Sequence, residues 1–289
     1  MKSCLTKPGL RLFSPRAAGF LMLALPLATA SANAFADDDF SHSPALDRVS
    51  IWVGGYYAKT DTNIGASDKS DQIKGHVNLE DALGFNEHKT VPRARVDLLL
   101  GEHQGLSFDY YSIDRSRSKT LSQDISYGGN DYLASAQVRG KLDFNFGSAA
   151  YRWWFGTGND VFGVGLGAAY YGVHASIHGQ ASLNGQTAQA YTSTDENAWA
   201  PMLQLGWRHA FSDNLRMYID ASGVKKNGSD LGGHIYNGAV GLEWFPWHNV
   251  GFGAEYNYTR IKLHQDHHNF NDSLDMKLNG PSAYVRFRF

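Results

Sequence analysis

Apolar and polar residues alternate with a period of two along ten stretches of the chain, at about 48–60, 90–101, 104–115, 138–154, 161–177, 198–211, 214–224, 236–246, 250–263 and 280–289. Period two marks a strand with two unlike faces. In 214–224, Leu215, Met217, Ile219 and Ala221 oppose Arg216, Tyr218, Asp220 and Ser222. In 198–211, Trp199, Leu203, Leu205, Trp207 and Phe211 oppose Met202, Gln204, Gly206 and Arg208. In 90–101, Ala94, Val96, Leu98 and Leu100 oppose Arg93, Arg95 and Asp97. Residues 138–154 mix two phases. Leu142, Phe144 and Phe146 define an apolar face that Arg152 would share, so a bulge near Gly147 is expected to turn Arg152 to the polar side.

The links alternate too. Tight ones fall at 101–104, 156–160, 212–213 and 246–249, and long polar ones at about 61–89, 116–137, 178–197, 225–235 and 264–279. Strands of this length with short turns at one end and long loops at the other predict an all-β, transmembrane, antiparallel up-and-down barrel of about ten strands. Apolar faces meet lipid and polar faces line the lumen. A spanning backbone must be fully paired, so the sheet must close. An even strand count puts both termini on the short-turn, periplasmic side. Tyr56, Tyr57, Tyr110, Trp153, Trp154, Trp244 and Trp247 fall near strand ends, where interfacial girdles are expected.

The two ends of the chain agree with this. Residues 1–36 read as a cleaved signal peptide for export through the inner membrane. Lys2, Lys7, Arg11 and Arg16 make a basic start, Ala17 to Ala28 an apolar run too short to span a bilayer, and small residues precede Asp37. Residues 37–47 are then a short periplasmic segment and 48–289 the barrel. The only cysteine, Cys4, lies in the removed part, which excludes thiol chemistry and disulfides from the mature chain. Losing those four cations from 26 leaves 22 Lys and Arg against 28 Asp and Glu, so nothing attracts nucleic acid. At the other end, Ala283, Val285, Phe287 and Phe289 alternate with Ser282, Tyr284, Arg286 and Arg288. A final amphipathic strand ending on Phe resembles the assembly signal of bacterial outer-membrane barrels, which implies recognition of Tyr284, Phe287 and Phe289 by periplasmic chaperones and the barrel assembly machinery. Tyr284 stands where many such signals have Gly.

Val77 to Phe85, with Leu79-Glu80-Asp81-Ala82-Leu83-Gly84-Phe85 at its centre, is followed by Lys89-Thr90-Val91-Pro92-Arg93. These elements, with Asp114-Arg115-Ser116-Arg117, Thr120-Leu121 and Asp124-Ile125, resemble an uncharacterised family of proteobacterial outer-membrane barrels over roughly residues 48–180. The family carries L-E-D-x-L-G in its first loop, often with a second Asp where this chain has Ala82. The resemblance implies fold and location, and no reaction.

Three constellations carry chemistry. The expected lumen charge network comprises Arg93, Arg95, Asp97, Asp109, Arg139, Lys141, Asp143, Arg208, Arg216, Asp220, Glu243, Glu255, Arg286 and Arg288. Its signs nearly balance, and ten strands enclose little more than side chains can fill, which favours a filled interior over a selective pore. His174 and Ser176 share a strand face, as a general base and nucleophile of a rim hydrolase would, but no orienting acid is identifiable. His264, Asp266, His268 and Asp272 cluster in the last long loop; solvated side chains are expected there rather than a metal site. The expectation is therefore a non-enzymatic, porin-like cell-envelope barrel, structural or narrow-channel, with no catalytic residues, metal or cofactor, in contact with outer-membrane lipid and lipopolysaccharide. The alternatives are an outer-membrane hydrolase of lipid A or peptides, and a loop-borne surface ligand or adhesion protein.

Overall fold

A computed structural model describes residues 43–68, 74–121, 125–127, 130–132, 136–183, 186–227, 232–266 and 270–289. The expected signal peptide and the acidic start at Asp37 lie outside these residues, as do Asp124 and His268. Ten long strands alternate in direction: β1 (Val49–Asp68), β2 (His88–Leu100), β3 (Gln104–Thr120), β4 (Gln137–Phe155), β5 (Asp160–Leu183), β6 (Gln186–Ser212), β7 (Leu215–Lys226), β8 (Gly232–Trp244), β9 (Val250–Asp266) and β10 (Phe270–Arg288). Each pairs antiparallel with the next, and β10 pairs with β1, so the sheet is a closed ten-stranded barrel. A row of opposed residues leaves β1 at Ser50, passes Met202 on β6 and returns to β1 at Thr62, twelve residues on. That stagger tilts the strands by about 40°.

Along the half of the barrel nearer the termini the outward face is apolar or aromatic between its edges: Val53, Phe108, Leu166, Leu205, Ile219 and Val240 are all exposed. Trp153, Phe155, Trp244 and Trp247 ring one edge of this belt, and Tyr57, Tyr110, Trp199, Tyr236 and Tyr258 the other. From Phe162 to Tyr170 on β5 is eight residues, about 20 Å along the axis at this tilt. This approaches the ~25 Å apolar band of outer-membrane barrels. Two expected girdle residues are not in it. Tyr56 and Trp154 point inward and are buried, because each follows or precedes an outward aromatic by one residue.

Beyond the second girdle the barrel continues as strand and its polarity inverts. β4 shows this without any bulge at Gly147, for its pairing to β3 and β5 is continuous. Arg152 faces in, and Tyr151, Trp153 and Phe155 face out. In the same phase, Leu142, Phe144 and Phe146 are buried inside, and Arg139, Lys141 and Asp143 point outward. The expected lipid face of 142–146 and the lumen placement of Arg139, Lys141 and Asp143 are thus corrected. Above the belt the exterior meets water and the interior must be apolar, so the same alternation carries opposite chemistry. For the same reason the expected loops 178–197 and 264–279 are mostly strand: β5 and β6 run to Leu183 and from Gln186, and β9 and β10 to Asp266 and from Phe270.

Candidate functional site

The lumen has three levels. At the end carrying the termini, residues 43–47 tuck into the barrel mouth. The Ser43 hydroxyl donates to Gly158 O (2.6 Å) and accepts from Ala45 N, and Ala45 and Leu46 pack with Leu99, Trp154, Val161 and Ala210. This places Asp47 beneath three guanidiniums: Arg216 at 2.7 Å, Arg286 at 2.9 Å and Arg288 at 3.9 Å. Burial alone would raise the Asp47 carboxyl, but Arg286, Arg216 and Arg288 outweigh it and hold the group below the ordinary carboxylate range. Arg286 also contacts Glu243 at 2.7 Å and donates to Ser50 Oγ across the β1–β10 seam. Asp97, Asp109 and Glu255 pair with Arg93 and Arg95 of β2, and Asp47 and Glu243 serve the arginines of β10.

The middle level lies within the apolar belt. Asp220 gathers Arg95 (2.7 Å), Arg208 (2.8 Å) and Arg152 (3.5 Å), and Arg152 donates to Gln204 Oε1. Arg95 also meets Asp97 at 2.9 Å. Arg93 grips Asp109 with two nitrogens and reaches Glu255 at 3.7 Å. Tyr218 donates to Glu255, and the Tyr284 hydroxyl lies 2.9 Å from that of Tyr218 and 2.8 Å from Glu243 Oε1. Tyr284 stacks on Trp52 with ring centres 4.4 Å apart. Two glycines make room for these rings: a side chain at Gly253 would fall on the Tyr284 ring, and one at Gly241 on that of Tyr218. With Asp47, six carboxylates face seven guanidiniums, so charge nearly cancels inside the wall. Cavities of about 30 Å³ lie beside Asp47 and Arg286 and beside Arg95 and Asp220. Each has room for about one or two waters.

The third level is apolar. Asn78 caps a single helical turn, α1 (Leu79–Ala82), by accepting from Asp81 N, and the chain then folds into the outer mouth. Leu79, Ala82, Leu83 and Phe85 pack against Val91, Ile113, Leu142, Phe144 and their neighbours, all buried. The charges of this segment are satisfied at its edge. Glu80 pairs with Arg115 at 2.7 Å and accepts from Thr62 N, while Arg115 donates to Thr62 Oγ1 and Asn86 O and lies over the Phe85 ring. The Leu-Glu-Asp-Ala-Leu-Gly-Phe element is therefore a plug, and Arg115 of the Asp-Arg-Ser-Arg element anchors it through Glu80. Ala82 sits in its apolar core, where a second Asp would be buried.

Other sequence candidates fall outside the lumen. His174 and Ser176 face outward on β5, and the acid that sequence could not identify is Asp195, whose Oδ1 lies 2.5 Å from His174 Nδ1. No hydrogen bond joins His174 to Ser176 among the described residues. His264 faces outward, Asp266 and Asp272 have no described side chains, and His268 is outside the described residues. Among the described residues no three His, Asp or Glu side chains converge as metal ligands. Tyr284 belongs to the lumen network, while Phe287 and Phe289 project toward the lipid side. Sequence reading missed Asp47, Glu80 and Arg115 as interior groups. Arg115 could have been found, since it shares a phase with Asp109 and Ile113.

No family model matches the chain, and no curated protein matches it in sequence. Solved structures do. The outer membrane protease OmpT from Escherichia coli superposes with a TM-score of 0.53 at 10% identity, over 83% of this chain and 96% of that one. The translocator domain of autotransporter NalP from Neisseria meningitidis gives 0.42 at 12% identity over 91% and 94%, and OprG from Pseudomonas aeruginosa 0.38 at 10% over 85% and 98%. The likeness to OmpT is one of fold: this chain, like that outer-membrane protein, is an antiparallel β-barrel, here of ten strands.

Proposed function

We propose that the chain is exported by its N-terminal signal, assembled into the outer membrane through its last strand, and serves there as a closed, non-enzymatic structural barrel. Its termini lie in the periplasm, and it carries a strand-built platform on the cell surface. The observation that carries this reading is the double closure of the lumen, by residues 43–47 at one mouth and 79–85 at the other, with a nearly neutral ion network between. The platform is substantial: β5 continues thirteen residues past Tyr170, roughly 30 Å along the axis. Liposome swelling with a small neutral sugar tests the closure. Vesicles holding the protein should swell no faster than empty ones; rapid swelling would establish an open channel.

A second reading, a rim hydrolase, has the His174–Asp195 contact in its favour. Against it, Ser176 lies two residues farther from the apolar belt, and among the described residues no hydrogen bond joins it to the imidazole. Release of fatty acid from lipopolysaccharide, lost on His174→Ala, would establish it.

A further inference from the structure

We infer that the outward face of β7–β10 just above the second aromatic girdle binds the phosphorylated headgroup of an outer-leaflet glycolipid, an inference that rests on the membrane-barrel reading above. Lys225, His234 and Lys262 stand in one row across three strands. Arg260 and Lys277 stand opposite each other in the outward row two residues nearer the belt, where Arg260 also faces the girdle residue Tyr236. Adjacent strands are about 4.8 Å apart, so the four cations span about 14 Å, the scale of a headgroup that carries more than one phosphate. Two carboxylates hold the long side chains in place without cancelling them. Asp275 lies 3.1 Å from Arg260 and 3.3 Å from Lys262, and Asp61 lies 3.5 Å from Lys277. Four permanent cations against two carboxylates leave a basic surplus.

That surplus is confined to one side. At the corresponding level on β3–β6 the outward face carries Asp114, Asp143 and Asp195, with only Lys141 and His174 among them. Net charge therefore does not explain the basic face, and its position does. Exposed Tyr236 and Tyr258 lie directly below it, at the depth where ring edges meet lipid headgroups. Cations one step beyond such a girdle meet the phosphate layer, and basic groups at that level favour anionic lipid. The occupant is thus a lipid whose apolar part lies along the belt and whose phosphates are held by Lys225, Arg260, Lys262 and Lys277.

The full-length mature chain, inserted into neutral phospholipid vesicles, is titrated with bis-phosphorylated lipid A and with the same lipid after phosphate removal, and retained lipid is counted by native mass spectrometry. The wild type should prefer the phosphorylated lipid by about tenfold or more, with the preference shrinking as salt is raised. The Lys225→Gln/Lys262→Gln/Lys277→Gln variant keeps the Arg260–Asp275 pair and should lose most of the preference, whereas Lys141→Gln on the acidic side should keep it. Equal retention of both lipids by an inserted wild type, or an unchanged preference in the triple variant, overturns the site while leaving the barrel reading intact. A wild type that does not insert at all overturns both.

Discussion

Replacing Arg286 by Ala removes one of the groups that bind the N-terminal segment to the barrel wall. Its guanidinium is buried and meets Glu243 at 2.7 Å, Asp47 at 2.9 Å and Ser50 Oγ at 3.0 Å. Breaking a buried pair costs about 3–5 kcal/mol when a charge is left unmatched. Here two carboxylates lose a partner, but each keeps another: Asp47 retains Arg216 at 2.7 Å, and Glu243 retains Tyr284 at 2.8 Å. The low end, about 3 kcal/mol, is therefore expected. Urea unfolding of the protein refolded into phospholipid vesicles measures it, and adding Glu243→Gln should restore about 1–2 kcal/mol, since the variant then holds one fewer unpaired charge. A loss under about 1 kcal/mol with no recovery in the double variant would show that water already solvates this level, as in an open lumen.

Further outcomes follow from the same contacts. Because Asp47 has a depressed pKa in the folded state, its stabilisation is fully present above its unfolded value near 4 and is lost as pH falls through the lower folded value; Asp47→Asn should flatten that part of the stability–pH curve. Arg115→Ala unpairs Glu80 beneath the outer mouth and should raise hydrogen exchange in residues 79–85 while leaving the β1–β10 seam protected. Gly253→Val forces a side chain into the Tyr284 ring and should cost about 1–3 kcal/mol in the same unfolding assay, against little change for Gly238→Val, where a side chain would enter open space.

Within the apolar belt the sequence was readable because charge and lipid exclude each other. The faces of 90–101, 198–211 and 214–224 follow from their arginines alone, and the ten-strand count with them. Above the belt that rule lapses. On β4 the apolar triplet Leu142, Phe144 and Phe146 looked like a lipid face because nothing local distinguishes packing against lipid from packing against a plug. The plug itself is supplied by residues 79–85, distant in sequence from the strands it fills. In β5–β6 the Thr-, Ala- and Gln-rich tips gave no apolar alternation, although the sequence between them, Asn184-Gly185, is a dipeptide that favours two-residue hairpins. Asp47 was hidden differently: it precedes the first strand, and only three-dimensional closure brings it under arginines 169, 239 and 241 residues later.

The lumen of this barrel is shut at both mouths, by residues 43–47 and by residues 79–85. Single-channel recording in planar bilayers tests it most directly. The wild type should insert without a steady current step, and the Arg115→Ala/Arg286→Ala double variant, with both mouths loosened, should produce openings that the wild type lacks. A wild-type barrel showing a stable, ohmic, porin-sized conductance would contradict the account.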